Sequence, residues 1–303
     1  MKLRRVRTTT GLRLSLQSLD SEGNWTDGAD LTPLGGRVFD DGWLAAAAER
    51  QLQHSDHLLP FQPVSFRDFM LYEQHNIDAA RGLVRRLHPG LYRVTSLYER
   101  VTGRPVPQFR PKPLFYRQPI YYMSNAQTFV PTGTPVAVPD YSQALDFELE
   151  IGFVLAAPLF NATPTEATEA IGAFVVLNDF SARDVQRPEM LSGFGPQKSK
   201  HFASSMSDTA VTADEILPRI DALTGSVALN GSVVSTVRSA GMQHSLGQVL
   251  AHASRSEPLY PGELFGTGTL PGGSGMETGH WLRPGDTLTL ALDGIGHIEH
   301  TIL

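Results

Sequence analysis

The sequence predicts a mainly β protein with some helix, and three observations carry that reading. Residues 145–153 alternate strictly, with Asp146, Glu148 and Glu150 on one side and apolar side chains on the other. A period of two over that length specifies a strand, whose residues i, i+2 and i+4 line one face. From Pro119 onward, short apolar segments are separated by glycine and proline turns, the punctuation of a mostly β domain. Helical patterning is confined to a few stretches.

In chain order, residues 1–60 hold alternating stretches at Leu3, Arg4 and Val6 and at Leu12, Leu14 and Leu16, with the hairpin-like turn Asp20-Ser21-Glu22-Gly23 after them. Residues 43–53 read as a short alanine-rich helix. Together these form a small N-terminal β-rich module over 1–60, ahead of a larger domain over 61–303. Residues 66–87, with Phe69, Tyr72, Leu83 and Val84 among polar positions, read as a helix starting near Ser65. Five prolines (Pro105, Pro107, Pro111, Pro113 and Pro119) make residues 104–119 an extended connector. A further helix is expected over 164–173, and the apolar run 174–177 reads as a strand ending just before Asp179.

Composition narrows the function classes. The chain has 303 residues, 41% of them hydrophobic, enough for a real core. A net charge of −6 without a basic stripe argues against nucleic acid or an anionic membrane as the main partner. There is no cysteine, which excludes disulfides and thiolate metal sites. No apolar run is long enough to span a bilayer. The basic start Met1-Lys2-Leu3-Arg4-Arg5 leads into threonine-rich polar sequence instead of an apolar segment, so no secretory signal is expected and the cytoplasm is the default compartment.

Three carboxylates on one strand face repel one another. Either a hard divalent cation sits among them or the strand is an edge whose acidic face is solvated. A second segment, Asn178-Asp179-Phe180-Ser181-Ala182-Arg183-Asp184-Val185-Gln186, follows about thirty residues later. The pair of segments resembles the metal-binding core of the fumarylacetoacetate hydrolase (fumarylacetoacetase) superfamily. Further motifs extend the resemblance over roughly residues 64–303: Gly195 to Phe202, Leu229-Asn230-Gly231, Leu259 to Leu264, Gly266 to Thr269, and Leu282 to Asp286.

The resemblance implies a mixed β-sandwich roll of the fumarylacetoacetase C-terminal type. It implies Mg²⁺ (or Mn²⁺ or Ca²⁺) held by Glu148, Glu150 and Asp179, with Asp68 as a fourth ligand because it precedes His75 by the family's seven-residue spacing. Asp146 shares the acidic face but does not match the ligand pattern. His75 corresponds to the catalytic base, oriented by Glu277 or by Asp78. Arg183, Gln186 and Lys200 correspond to the groups around a developing oxyanion, with Lys200 preferred over Lys198. His201 stands where the family usually has serine. Tyr122 and Thr269 correspond to substrate contacts.

The activity implied is hydrolysis of a C–C bond beside a carbonyl in a 1,3-dicarbonyl or acylpyruvate-like acid. A small keto acid is then the substrate and a homodimer the assembly. The same core also serves decarboxylases, isomerases and hydratases acting through a metal-held enolate, and a non-enzymatic ligand-binding domain is the remaining alternative. The glycine-rich stretch 266–275 lacks the following helix of a dinucleotide site. No H-x-H pattern suggests a cupin, and His297 and His300 read as surface residues.

Overall fold

Alternating residues near the N-terminus form β1 (Lys2–Arg7), β2 (Leu14–Leu19) and β3 (Trp25–Asp27). The computed structural model describes residues 1–7, 14–27 and 56–303, so the helix expected over 43–53 lies outside the described residues. β2 and β3 make the expected hairpin, its turn closed by Asp20 Oδ1 accepting from the Glu22 and Asn24 amides at 2.9 and 2.8 Å. β1 also pairs antiparallel with a strand far along the chain, with Leu3 opposite Ala210.

Residues 65–69 are a strand, not the start of a helix: β4 (Ser65–Phe69) precedes α1 (Glu73–Leu87) and α2 (Pro89–Thr102). Phe66, Arg67, Asp68 and Phe69 are all buried. With both faces covered, the strand loses the polar–apolar alternation by which it would be recognised. The proline-rich connector is less extended than expected. It contains a 3₁₀ turn at Pro107–Phe109 and the short α3 (Pro113–Arg117), each opening on proline, which suits the first helical position.

Next come β5 (Tyr121–Ser124), β6 (Phe129–Pro131), β7 (Leu145–Asp146) and β8 (Leu149–Leu155). The alternating run 145–153 is therefore one strand direction interrupted at Phe147, with Glu148 making an isolated bridge to Ser274. The helix expected over 164–173 is only α4 (Pro164–Glu169), capped by a reciprocal Thr163–Glu166 capping box. Ile171 already opens β9 (Ile171–Asn178), every residue of which is buried. β10 (Ser181–Ala182), α5 (Arg183–Leu191), β11 (Ser204–Met206), β12 (Thr209–Thr212) and α6 (Ala213–Ile216) follow. The chain then forms β13 (Thr224–Leu229), β14 (Ser232–Arg238), α7 (Leu246–Ala253), β15 (Glu263–Gly266), α8 (Gly275–Thr278), β16 (Thr287–Leu292) and β17 (Gly296–Thr301).

Among the described residues, eleven strands make one mixed sheet with the path β3-β2-β1-β12-β9-β8-β15-β4-β5, and β11 joins β9 to β6. A second sheet, β14-β13-β16-β17, packs on one face of it. Alternate side chains of β8 and β9 sort accordingly: Ile151, Phe153, Phe174 and Val176 join Val227, Leu288, Leu290 and Ile298 between the sheets. Val154, Val175 and Leu177 join Leu3, Phe61 and Phe66 on the other side. Each such fully buried large side chain contributes about 1.5–3 kcal/mol. This is the mixed β-sandwich roll that the motifs imply. β17 alternates too, so His297 is exposed while His300, on the face of Ile298, is fully buried. His300 Nδ1 lies 2.7 Å from the Thr134 carbonyl, and burial pushes its pKa down to about 4. The expectation of a surface histidine there is overturned by that alternation.

Candidate functional site

Three strand ends converge on a buried acidic cluster. Asp68 on β4 lies beside Gly266 of β15 and opposite Tyr122 of β5. Glu150 lies on β8, and Asp179 follows the last residue of β9, where Leu149 pairs with Asn178. One carboxylate oxygen from each of Asp68, Glu150 and Asp179 falls within 4.8 Å of the others. Gly266 makes room for them, since a Cβ there would stand 2.6 Å from Asp68 Oδ1 and 2.7 Å from Glu150 Oε2.

Asp68 Oδ1 and both Glu150 oxygens are buried without a hydrogen-bond partner. Burial and the neighbouring Asp179 charge push Asp68 up to about 8. Glu150 is raised well above the carboxylate range by burial and by Asp68 and Glu148, and Asp179 is raised by burial and Glu148 despite the opposing Lys200. Unpaired oxygens, unbalanced negative charge and an oxygen-only donor set suit a hard divalent cation. The cluster can hold one.

Glu148 sits differently. Burial alone would raise its pKa, but Arg183 and Lys200 hold it far below the usual range. Arg183 Nη2 donates to Glu148 Oε1 at 2.7 Å, and the Lys200 ammonium bridges Glu148 and Asp179. Among the four carboxylates named as metal ligands, Glu148 is the one outside the mutually close group. The guanidinium of Arg183 is fixed on its other sides by Asp146 Oδ2 at 2.8 Å and Gln186 Oε1 at 2.9 Å. Tyr122 donates its hydroxyl proton to Asp179. Lys198, by contrast, is exposed over the Tyr141 ring.

His75 enters from α1. Its Nδ1 is 3.1 Å from Glu277 Oε2 and its Nε2 is 4.0 Å from Glu148 Oε1. Burial would lower its pKa, but the Glu277 and Glu148 charges outweigh burial and raise it. Glu277 is itself fixed by the capping box of α8, accepting from the Ser274 amide at 3.1 Å and its hydroxyl at 2.8 Å. Asp78 is turned away, paired with Arg81 at 2.6 Å and Gln74 at 2.8 Å. The choice between Glu277 and Asp78 as the carboxylate beside His75 thus resolves to Glu277.

Two residues outside the expected set shape this geometry. Asp146 accepts from the Gly275 and Met276 amides at 2.8 and 3.0 Å while pairing with Arg183, so it ties α8 to that guanidinium. Gly82 lies in α1, where glycine costs about 1 kcal/mol relative to alanine. A Cβ there would come within 1.8 Å of the Met276 carbonyl oxygen. The bare backbone lets α1 lie directly on α8 and so brings His75 to Glu277. The available signals were an acid on the right strand face and a glycine inside a helical pattern.

Asp68, His75, Tyr122, Glu148, Arg183, Gln186, Lys200 and Thr269 all line one cavity of about 330 Å³. Glu150, Asp179 and Glu277 lie behind that lining, as the partners described above. Among the described residues no helix is long and apolar enough to cross a membrane.

Residues 96–303 match the family model described as the fumarylacetoacetate hydrolase C-terminal domain. The chain is 26% identical over 174 residues to the mitochondrial oxaloacetate tautomerase of Mus musculus, covering 57% of this chain and 76% of the relative. It is 27% identical over 179 residues to a second mitochondrial oxaloacetate tautomerase, from Xenopus laevis, covering 59% and 56%. A fumarylacetoacetate hydrolase from Exiguobacterium antarcticum superposes with a TM-score of 0.68 at 20% identity, over 100% of this chain and 99% of that one. The 2-hydroxyhepta-2,4-diene-1,7-dioate isomerase of Mycobacterium marinum gives 0.66 at 20% identity, over 100% and 98%. Matching the family model over more than half its length, on this fold, the chain belongs to the fumarylacetoacetate hydrolase family.

Proposed function

We infer that this enzyme, with a divalent cation, moves a proton between carbon and oxygen of a 2-oxo acid, as a keto–enol tautomerase or isomerase. The observation that carries the reading is one cavity with a carboxylate-paired histidine on one wall and an acidic cluster with unpaired oxygens behind another. The names of the relatives, oxaloacetate tautomerases, support the same class of reaction.

Asp68, Glu150 and Asp179 would hold Mg²⁺, Mn²⁺ or Ca²⁺. When bound, such a cation polarises the oxygens of a 2-oxo acid and acidifies the adjacent C–H. Glu277 faces His75 Nδ1 and so favours the tautomer protonated there, leaving Nε2 free to accept a proton. The Glu277 and Glu148 charges, outweighing burial, make that nitrogen a stronger base than ordinary imidazole. Nε2 takes the proton from carbon and returns it at oxygen, or the reverse. Arg183 and Lys200 stabilise the negative oxygen that develops. Gln186, Tyr122 and Thr269 orient the substrate's oxygens, and Asp146 holds Arg183 in place.

Hydrolysis of a C–C bond in an acylpyruvate-like acid is the second reading. It is favoured by the same His75–Glu277 pair, since a histidine oriented by a carboxylate can equally take a proton from water. Two incubations of the Mg²⁺-loaded enzyme separate them. With oxaloacetate or phenylpyruvate in ²H₂O, the tautomerase should speed both enol decay and deuterium entry at C3. His75→Ala should lower that rate by roughly 10²–10⁴. If instead C3 exchange stays at the uncatalysed rate and ¹⁸O from labelled water enters the acid released from an acylpyruvate, the enzyme is the hydrolase.

A further inference from the structure

Beyond the reacting end, the cavity changes character. Its lining also includes Met70, Ala79, Ile120, Met190, Pro196 and Met276. Among the described residues no arginine or lysine other than Arg183 and Lys200 lines it. Both of these already face carboxylates: Arg183 those of Asp146 and Glu148, Lys200 those of Glu148 and Asp179. Neither is available to a negative group at the far end.

A carboxylate on the distal arm of a substrate would exchange part of its hydration for methionine, isoleucine and proline side chains, with no cation to meet it. Burying an unpaired charge is strongly unfavourable. An apolar arm gains from the same wall in proportion to the area it covers. The names of relatives and structural neighbours include dicarboxylic acids, oxaloacetate and 2-hydroxyhepta-2,4-diene-1,7-dioate. The lining of this chain's cavity points elsewhere.

We propose that the substrate is a monocarboxylic 2-oxo acid whose far arm is uncharged and apolar, a branched alkyl or aromatic group seated against Ile120, Met190 and Met276. This rests on the 2-oxo acid reading above and narrows it. The cavity's volume, about 330 Å³, is at the small end of ligand-sized pockets and leaves room for one such arm.

The test uses two inert mimics with the same oxamate head, N-benzyloxamate and N-carboxymethyloxamate, titrated calorimetrically into the Mg²⁺-loaded protein. N-benzyloxamate should bind at least about tenfold more tightly, the scale on which apolar pockets discriminate. In Ile120→Lys the order should reverse, because the new ammonium supplies the missing partner for the carboxymethyl group. Equal or tighter binding of N-carboxymethyloxamate to the unaltered protein overturns the proposal. So does an unchanged order in Ile120→Lys, and so does the failure of both mimics to bind. Absence of C3 exchange with the binding order intact would sink the proton-transfer reading alone.

Discussion

Glu277 performs two tasks with one carboxylate. Its oxygens close the N-terminus of α8, and one of them stands 3.1 Å from His75 Nδ1. Glutamine keeps the capping geometry but removes the charge that raises the His75 pKa. In Glu277→Gln the burial that opposes protonation is left to act with less resistance, so the His75 pKa should fall. The acid limb of the pH profile of kcat/KM should move to lower pH, and the plateau should drop roughly ten- to hundredfold, the usual loss when an orienting partner is removed. An unmoved acid limb would show that Glu277 is only a cap. Most members of the site could be named from residue types in ordered motifs. Asp146 could not be given its role, although its strand face was legible. Its task depends on meeting Arg183 and the α8 amides across the Ser181–Asp146 bridge, a contact between segments that no local pattern records.

Elements were legible where polar and apolar residues alternate, as in the carboxylate-bearing run that enters β8, and obscure where that alternation is lost. The turn of the β2–β3 hairpin and the alternating run over 145–153 follow the expected patterns. β4 does not, because β15 and β5 flank it and its faces are both buried. Ser65 therefore looked like a helix cap, while the residue at the N-terminus of α1 is Tyr72. The consequence is chemical: Asp68 is not a solvated charge at a helix end but one oxygen donor in a buried cluster. Asp68→Asn should weaken Mg²⁺ or Mn²⁺ binding at least roughly tenfold by calorimetry. The same change should stabilise the metal-free protein, because one of three mutually repelling carboxylates becomes neutral. Wild-type cation affinity in that variant would remove Asp68 from the ligand set.

At the scale of the molecule, the large sheet carries where its strands converge a cluster that is unfavourable when empty. The sheet order could not be read from a single sequence. Ser65 and Glu263 are 198 residues apart yet hydrogen-bonded on adjacent parallel strands, a pairing that no local pattern records. The cluster also sets how stability depends on pH. Asp68 is raised from its ordinary 3.8 to about 8, and Glu150 is raised as well. Between those limits the folded state binds more protons than the unfolded chain, so its stability falls as pH rises. The contribution is fully present below about pH 4 and is lost by about pH 8. Thermal unfolding of the metal-free protein should thus show a Tm that declines between pH 5 and pH 8. Excess Mg²⁺ should restore it most at the upper end, where fewer protons compete with the cation for the carboxylates. A Tm that climbs over this range without metal would contradict the arrangement.

The close approach at Gly82 makes α1 a lever. Gly82 is pressed against the Met276 carbonyl, and His75 lies seven residues, two helical turns, toward the other end. At 1.5 Å per residue that arm is about 10 Å long. Pivoting about the contact by roughly 6° would carry the imidazole about 1 Å, a misplacement of the order that costs a hundredfold in rate. The neighbouring α2 buries none of its residues and meets the arm beside the pivot, through the Arg81–Glu99 pair at 2.9 Å. The alignment of the proposed base is therefore governed by an angle, set two turns away by a residue that has no side chain.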